Sequence, residues 1–146
     1  MNTIYIQNQH NLSIPEVKLD VNSGKCTIAG NSYMEDTCTF YYPITDWITN
    51  YIQQKRGKMW WDFKLGYYNS SSKKHLANII DQLGRYQLSG GQIEVNWYYH
   101  ADDLDMLEDI EDFMESSNVL INTILYPASK QETMFFKRKA SKNHLV

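Results

Sequence analysis

The chain of 146 residues is 42% hydrophobic, 14% aromatic and 21% charged, and 14 Lys plus Arg against 17 Asp plus Glu give a formal charge of −3. That length supports one domain with its own core, and three Pro and seven Gly exclude a collagen-like or linker composition. No run reaches the roughly 18 to 20 apolar residues of a membrane span, a pI near 5.7 argues against a general nucleic-acid binder, and Met1 to Asn11 lacks the basic and apolar regions of a secretory signal.

A soluble cytoplasmic protein with no nucleic-acid partner and no membrane insertion is therefore expected. Cys26 and Cys38 lack CxxC spacing and are expected as free, partly buried thiols.

In chain order, Thr3 to Gln7 is an extended region, and Glu16 to Asp20 and Lys25 to Ala29 flank the turn-forming Asn22-Ser23-Gly24 as a hairpin. Phe40, Ile44, Trp47, Ile48, Tyr51 and Ile52 recur at helical spacing. Pro43 fits only the first turn of that helix, and Gly57 is expected to stop it. Met59, Trp61, Phe63 and Leu65 alternate with polar or interfacial residues, which predicts a strand over Lys58 to Leu65. A polar loop from Gly66 to Ser72 leads into a helix marked by Leu76, Ile79, Ile80 and Leu83. Gly90-Gly91 turns the chain into the strand of Ile93, Val95 and Trp97. Leu104, Leu107, Ile110, Phe113 and Met114 line a third helix, and Val119 to Tyr126 suits a last strand.

The element order reads ββαβαβαβ, and helices between successive strands require crossovers that make those strands parallel. One α/β domain over residues 1–126, with a mixed, mostly parallel sheet, is expected. Residues 127–146 hold five basic residues and one acid and are expected to form a basic tail that includes Phe135, Phe136, Lys137, Arg138 and Lys139. Segment 100–115 holds eight acids and no Lys or Arg, so the small net charge hides strong segregation.

Tyr67-Tyr68-Asn69-Ser70-Ser71-Ser72-Lys73-Lys74 follows the carboxyl end of a strand and opens a helix, the place where open α/β sheets present functional groups. Simple N-capping by Ser70, Ser71 or Ser72 is one reading. Phosphorylation is the other, because a phosphate there meets the positive end of the helix dipole and nearby lysines. A nucleophilic serine is disfavoured: the stretch is not Gly-x-Ser-x-Gly, and His75 is five residues from Ser70. His10, His75, His100 and His144 are scattered and read as surface or loop residues.

Asp102, Asp103 and Asp105 suit the acid-rich first turn of a helix. As a metal site they lack the glycine and final glutamate of a calcium loop, so neither metal nor cofactor is expected. The acidic helix can instead offer a docking face. Trp97 and Tyr99 are expected on the core side of their strand, leaving Tyr98, with Tyr67 or Tyr68, exposed near the serines as interface anchors.

Three blocks carry a resemblance: Pro15-Glu16-Val17-Lys18-Leu19-Asp20, Tyr68-Asn69-Ser70-Ser71-Ser72-Lys73, and Val95-Asn96-Trp97-Tyr98-Tyr99 with Asp105-Met106-Leu107-Glu108 and Glu111-Asp112-Phe113. Together they resemble the SiaC family of bacterial regulatory phosphoproteins over approximately residues 14–126. The resemblance implies a STAS-like α/β fold and a non-enzymatic partner switch. In such a switch a cognate Ser/Thr kinase modifies the Asn-[Thr/Ser]-Ser-Ser loop, a PP2C-type phosphatase reverses it, and the unmodified form binds an output protein such as a diguanylate cyclase. It thereby implies cyclic di-GMP and biofilm regulation.

Carried over, the resemblance makes Ser70 the phosphoacceptor, with Ser71 as the alternative. Tyr67, Tyr68, Asn69, Ser71, Ser72, Lys73, Tyr98, Asp102, Asp103 and Asp105 form the expected partner surface. Two positions depart from the family pattern: Ser70 stands where Thr is common, and Ile110 where Gly is expected. The competing readings are a phosphorylation-independent adaptor and a metal-dependent enzyme built on the acidic segment 102–112.

Overall fold

The structure, a computed structural model, describes residues 1–126. The expected basic tail and His144 lie outside the described residues. Three strands come first: β1 (Ile4–Ile6), β2 (Glu16–Leu19) and β3 (Lys25–Ser32). Helices and strands then alternate as α1 (Thr37–Gln54), β4 (Met59–Tyr68), α2 (Ser70–Leu88), β5 (Ile93–Tyr99), α3 (Leu104–Ser117) and β6 (Ile121–Leu125). The extended segment near the start thus joins the sheet, which adds one strand to the expected order and gives βββαβαβαβ.

The six strands lie side by side in sequence order. The β1–β2 and β2–β3 pairs are antiparallel, and the β3–β4, β4–β5 and β5–β6 pairs are parallel. Because each parallel crossover joins adjacent strands and always advances in the same direction, the usual right-handed connection places all three helices on one face of the sheet. The core is the layer between them. Val17, Leu19, Ile28, Met59, Trp61, Phe63, Val95 and Trp97 enter it from the strands, and Ile44, Ile48, Leu76, Ile80, Leu83 and Ile110 meet them from the helices. Phe63 stacks on Trp97 at 4.4 Å between ring centroids, and Trp97 stacks on Phe113 at 5.2 Å, tying β4 and β5 to α3. The opposite sheet face carries Lys18, Trp60, Asp62, Lys64, Asn96 and Tyr98, the alternate positions on the same strands.

Two boundary expectations are corrected. α1 begins at Thr37, where Asp36 Oδ1 accepts the Thr39 N–H at 3.1 Å, so Pro43 lies in the helix interior and not in its first turn. Burial of Tyr41, Ile44, Trp47, Ile48 and Tyr51 outweighs the backbone bond that Pro43 cannot donate. The helix ends at Gln54 with Lys55 as its C-cap, and Arg56, not Gly57, takes the left-handed conformation beyond it, with φ of 50°. Cys26 is buried and Cys38 exposed, both as free thiols.

Candidate functional site

The carboxyl ends of β3, β4 and β5 lead directly into the starts of α1, α2 and α3 along one edge of the sheet. At the centre of that edge β4 continues three residues beyond its alternating apolar stretch, to Tyr68. Its pairing with β3 slips on the way: Gly30 pairs with Leu65, but Ser32 pairs with Tyr68. The extra residue resets the alternation, so Tyr68, like Leu65, points under the helices. Asn31 fixes the slip, since its Oδ1 accepts the Tyr67 N–H at 2.9 Å. A Cβ at Gly66 would stand only 2.8 Å from that same oxygen.

The two tyrosines are thereby separated. Tyr67 is 61% exposed, with its ring 6.1 Å from that of Tyr33, itself 43% exposed. Tyr68 is half-buried, and its hydroxyl donates to Asp109 Oδ2 at 2.6 Å. Burial first, then the carboxylate it donates to, raises the Tyr68 phenol well above the ordinary tyrosine range. Tyr33 carried no signal in the sequence, because only the neighbouring course of β3 brings it beside Tyr67.

Asn69 is the N-cap of α2, a role expected of one of the serines. Its Oδ1 accepts the Ser72 N–H at 2.9 Å, its Nδ2 donates to Met34 O at 3.4 Å, and its own N–H donates to Ser32 O at 3.0 Å. The three serines consequently occupy the first turn of the helix. Ser70 and Ser71 are exposed, whereas Ser72 is 0% exposed and so is no part of an accessible partner surface. The Ser72 hydroxyl accepts from Ser32 Oγ at 2.8 Å, and Ser32 Oγ lies 2.6 Å from the Tyr41 hydroxyl. This buried chain joins the ends of β3, α1 and α2. Burial raises the Tyr41 phenol, which keeps it neutral and able to donate into the chain.

Lys73 lies one turn into α2, and its Nζ contacts Asp109 Oδ1 on α3 at 2.9 Å. One carboxylate therefore holds Lys73 on one oxygen and Tyr68 on the other. The hydrogen bond to Asp109 raises the Lys73 ammonium above its ordinary value, with Asp112 and Glu108 adding to the effect. Neither Asp109 nor this bridge was singled out in the sequence, where Asp109 is one acid among eight.

The remaining expected site residues lie around this centre. Asp103 caps α3, its Oδ1 accepting the Met106 N–H at 3.0 Å, while Asp102 and Asp105 are exposed. Tyr98 stands on the open sheet face, with Lys64 Nζ 4.9 Å from its ring centroid, and is therefore across the sheet from the helix-side cluster. Tyr99 is packed against the core. Ile110, at the position where glycine was expected, is fully buried. The His75 ring stacks on Tyr41 at 5.0 Å, with Nε2 3.8 Å from Cys38 Sγ. Among the described residues, no group of three or more His, Cys, Asp or Glu is placed to hold a metal ion, and no helix is long and apolar enough to cross a membrane.

Comparison with known proteins bears on the fold and the family. A protein of Pseudomonas aeruginosa strain UCBPP-PA14, described as uncharacterized, is 26% identical over 103 residues, covering 70% of this chain and 82% of its own. Apo-SiaC from Pseudomonas aeruginosa superposes with a TM-score of 0.76 at 24% identity, covering 85% of this chain and 99% of its own. A second structure shows the diguanylate cyclase SiaD in complex with its activator SiaC from the same species; its matching chain has a TM-score of 0.78 at 23% identity, covering 84% of this chain and 99% of its own. Residues 6–126 match the family described as SiaC family regulatory phosphoprotein, and the chain belongs to that family.

Proposed function

We propose that this chain is a non-catalytic cytoplasmic regulator toggled by reversible phosphorylation at Ser70, whose unmodified form binds and regulates an output enzyme of the diguanylate cyclase class. A Ser/Thr kinase and a PP2C-type phosphatase set its state. The carrying observation is the division of the three serines: Ser70 is exposed at the first position of a 19-residue helix, while Ser72 is sealed beneath it. A phosphate on Ser70 meets the positive end of the helix, so the fold accommodates the charge. An incoming partner meets it on the same rim as Tyr33 and Tyr67, exposed rings of the kind that anchor interfaces. There the added charge of about −1.5 to −2 opposes docking unless the partner supplies a matching cation. The SiaC seen with a cyclase supports the choice of output class.

The test is binding to, and cyclic di-GMP formation by, a diguanylate cyclase from the same cell. Ser70→Ala retains binding, and Ser70→Asp weakens it by about tenfold or more, equivalent to roughly 1.4 kcal/mol. Equal binding by both variants would instead identify a phosphorylation-independent adaptor.

A further inference from the structure

We propose that a phosphate on Ser70 takes Lys73 away from Asp109, so that α3 reads the modification as the loss of its cation. The inference rests on Ser70 as the acceptor and assigns the group that receives the signal. Ser70 has Lys73 three residues and Lys74 four residues further along α2, both neighbours on its helix face, and of the two it is Lys73 that is bound to Asp109 on α3. A long helical side chain sweeps back toward the N-terminus, which is where Ser70 stands.

In the unmodified chain the ammonium is committed to Asp109 at 2.9 Å, but the Lys73 and Asp109 side chains keep 39% and 25% of their exposure. Such a partly solvated pair is held weakly. A phosphate offers three acceptor oxygens and nearly twice the charge of one carboxylate, and it lies on the same helix as the lysine. The exchange leaves Asp109 with the Tyr68 hydroxyl alone, facing a new anion and sharing its helix with Glu108 and Asp112. Tyr68 immediately precedes the capping Asn69, so the rearranged carboxylate is coupled to both β4 and α3. Modification of Ser71 does not do this, because its neighbours one turn on are Lys74 and His75.

The experiment places phosphoserine at position 70 during synthesis, without a kinase, and follows the phosphate by ³¹P NMR titration and the Tyr68 ring by aromatic NMR. Lys73→Gln is expected to raise the second phosphate pKa, ordinarily about 6, by roughly half a unit, and Lys74→Gln by clearly less. Tyr68 signals move on phosphorylation of the parent chain and move clearly less in the Lys73→Gln background, where there is no lysine to be drawn away. Equal shifts from the two lysine variants, or unmoved Tyr68 signals in the parent phosphoprotein, would overturn the inference. Whether cells modify Ser70 at all is read separately, by mass spectrometry, so the two failures are distinguishable.

Discussion

Asn69 Oδ1 accepts the backbone N–H of Ser72 at 2.9 Å, and this bond sets the phase of the whole first turn of α2. It starts the helix at Ser70, turns Ser72 inward and leaves Ser70 and Ser71 in solvent. Asn69→Ala removes the acceptor and is expected to cost about 1 kcal/mol in denaturant unfolding, whereas Asn69→Ser, which keeps a capping oxygen and sets no charge against Met34 O, is expected to cost less. Equal losses would show that the cap does not set this turn.

Ser72 and Ser70 should differ in kind, despite being two residues apart. Ser72→Ala breaks the contact with Ser32 Oγ inside the core and is expected to cost about 1 kcal/mol. Ser70→Ala touches an exposed hydroxyl and should stay within about 0.5 kcal/mol. Chemical unfolding of the two variants under identical conditions checks the contrast.

Tyr68 makes the fold sensitive to alkali. Burial and its bond to Asp109 raise the phenol above its unfolded value of about 10, so the folded state holds the proton more tightly. That stabilisation is complete below about pH 10 and is lost as pH rises beyond it toward the folded value. Unfolding measured from about pH 9 to about pH 11 should show stability falling, with a shallower fall in Tyr68→Phe. Tyr41, also raised by burial, accounts for part of the remaining slope.

Gly24 joins the first hairpin to the parallel half of the sheet. It has φ of +75°, its carbonyl accepts the Trp60 N–H at 2.9 Å, and an added Cβ would lie 2.2 Å from Lys58 O. Gly24→Ala is expected to destabilise by more than about 1 kcal/mol, through left-handed strain and this clash together. A thermal melt unchanged from the parent would contradict the turn geometry.

Much of this architecture is legible in the residues themselves. The alternation of Met59, Trp61, Phe63 and Leu65 marks one buried strand face, and the spacing of Leu76, Ile79, Ile80 and Leu83 marks a helix, because burial imposes those periods. The rim is less legible, since its geometry depends on partners distant in sequence. Asn31 creates the slip that sends Tyr68 inward and Tyr67 outward, and nothing local to either tyrosine distinguishes them. Four candidate caps in a row, Asn69 to Ser72, satisfy the same local rule, and Ser32 and Met34 decide among them. Asp109 is hidden in the same way: its role comes from meeting Tyr68 and Lys73 across the α2–α3 contact. Tyr98 fell on the open face because strand alternation overrides its closeness to the rim along the chain.

The most direct measurement of the central claim is the position of the phosphate after incubation with the cognate kinase and ATP, located by fragmentation mass spectrometry. The account predicts phosphate on Ser70 and none in Ser70→Ala. Phosphate confined to any other residue, or undiminished incorporation into Ser70→Ala, would contradict it.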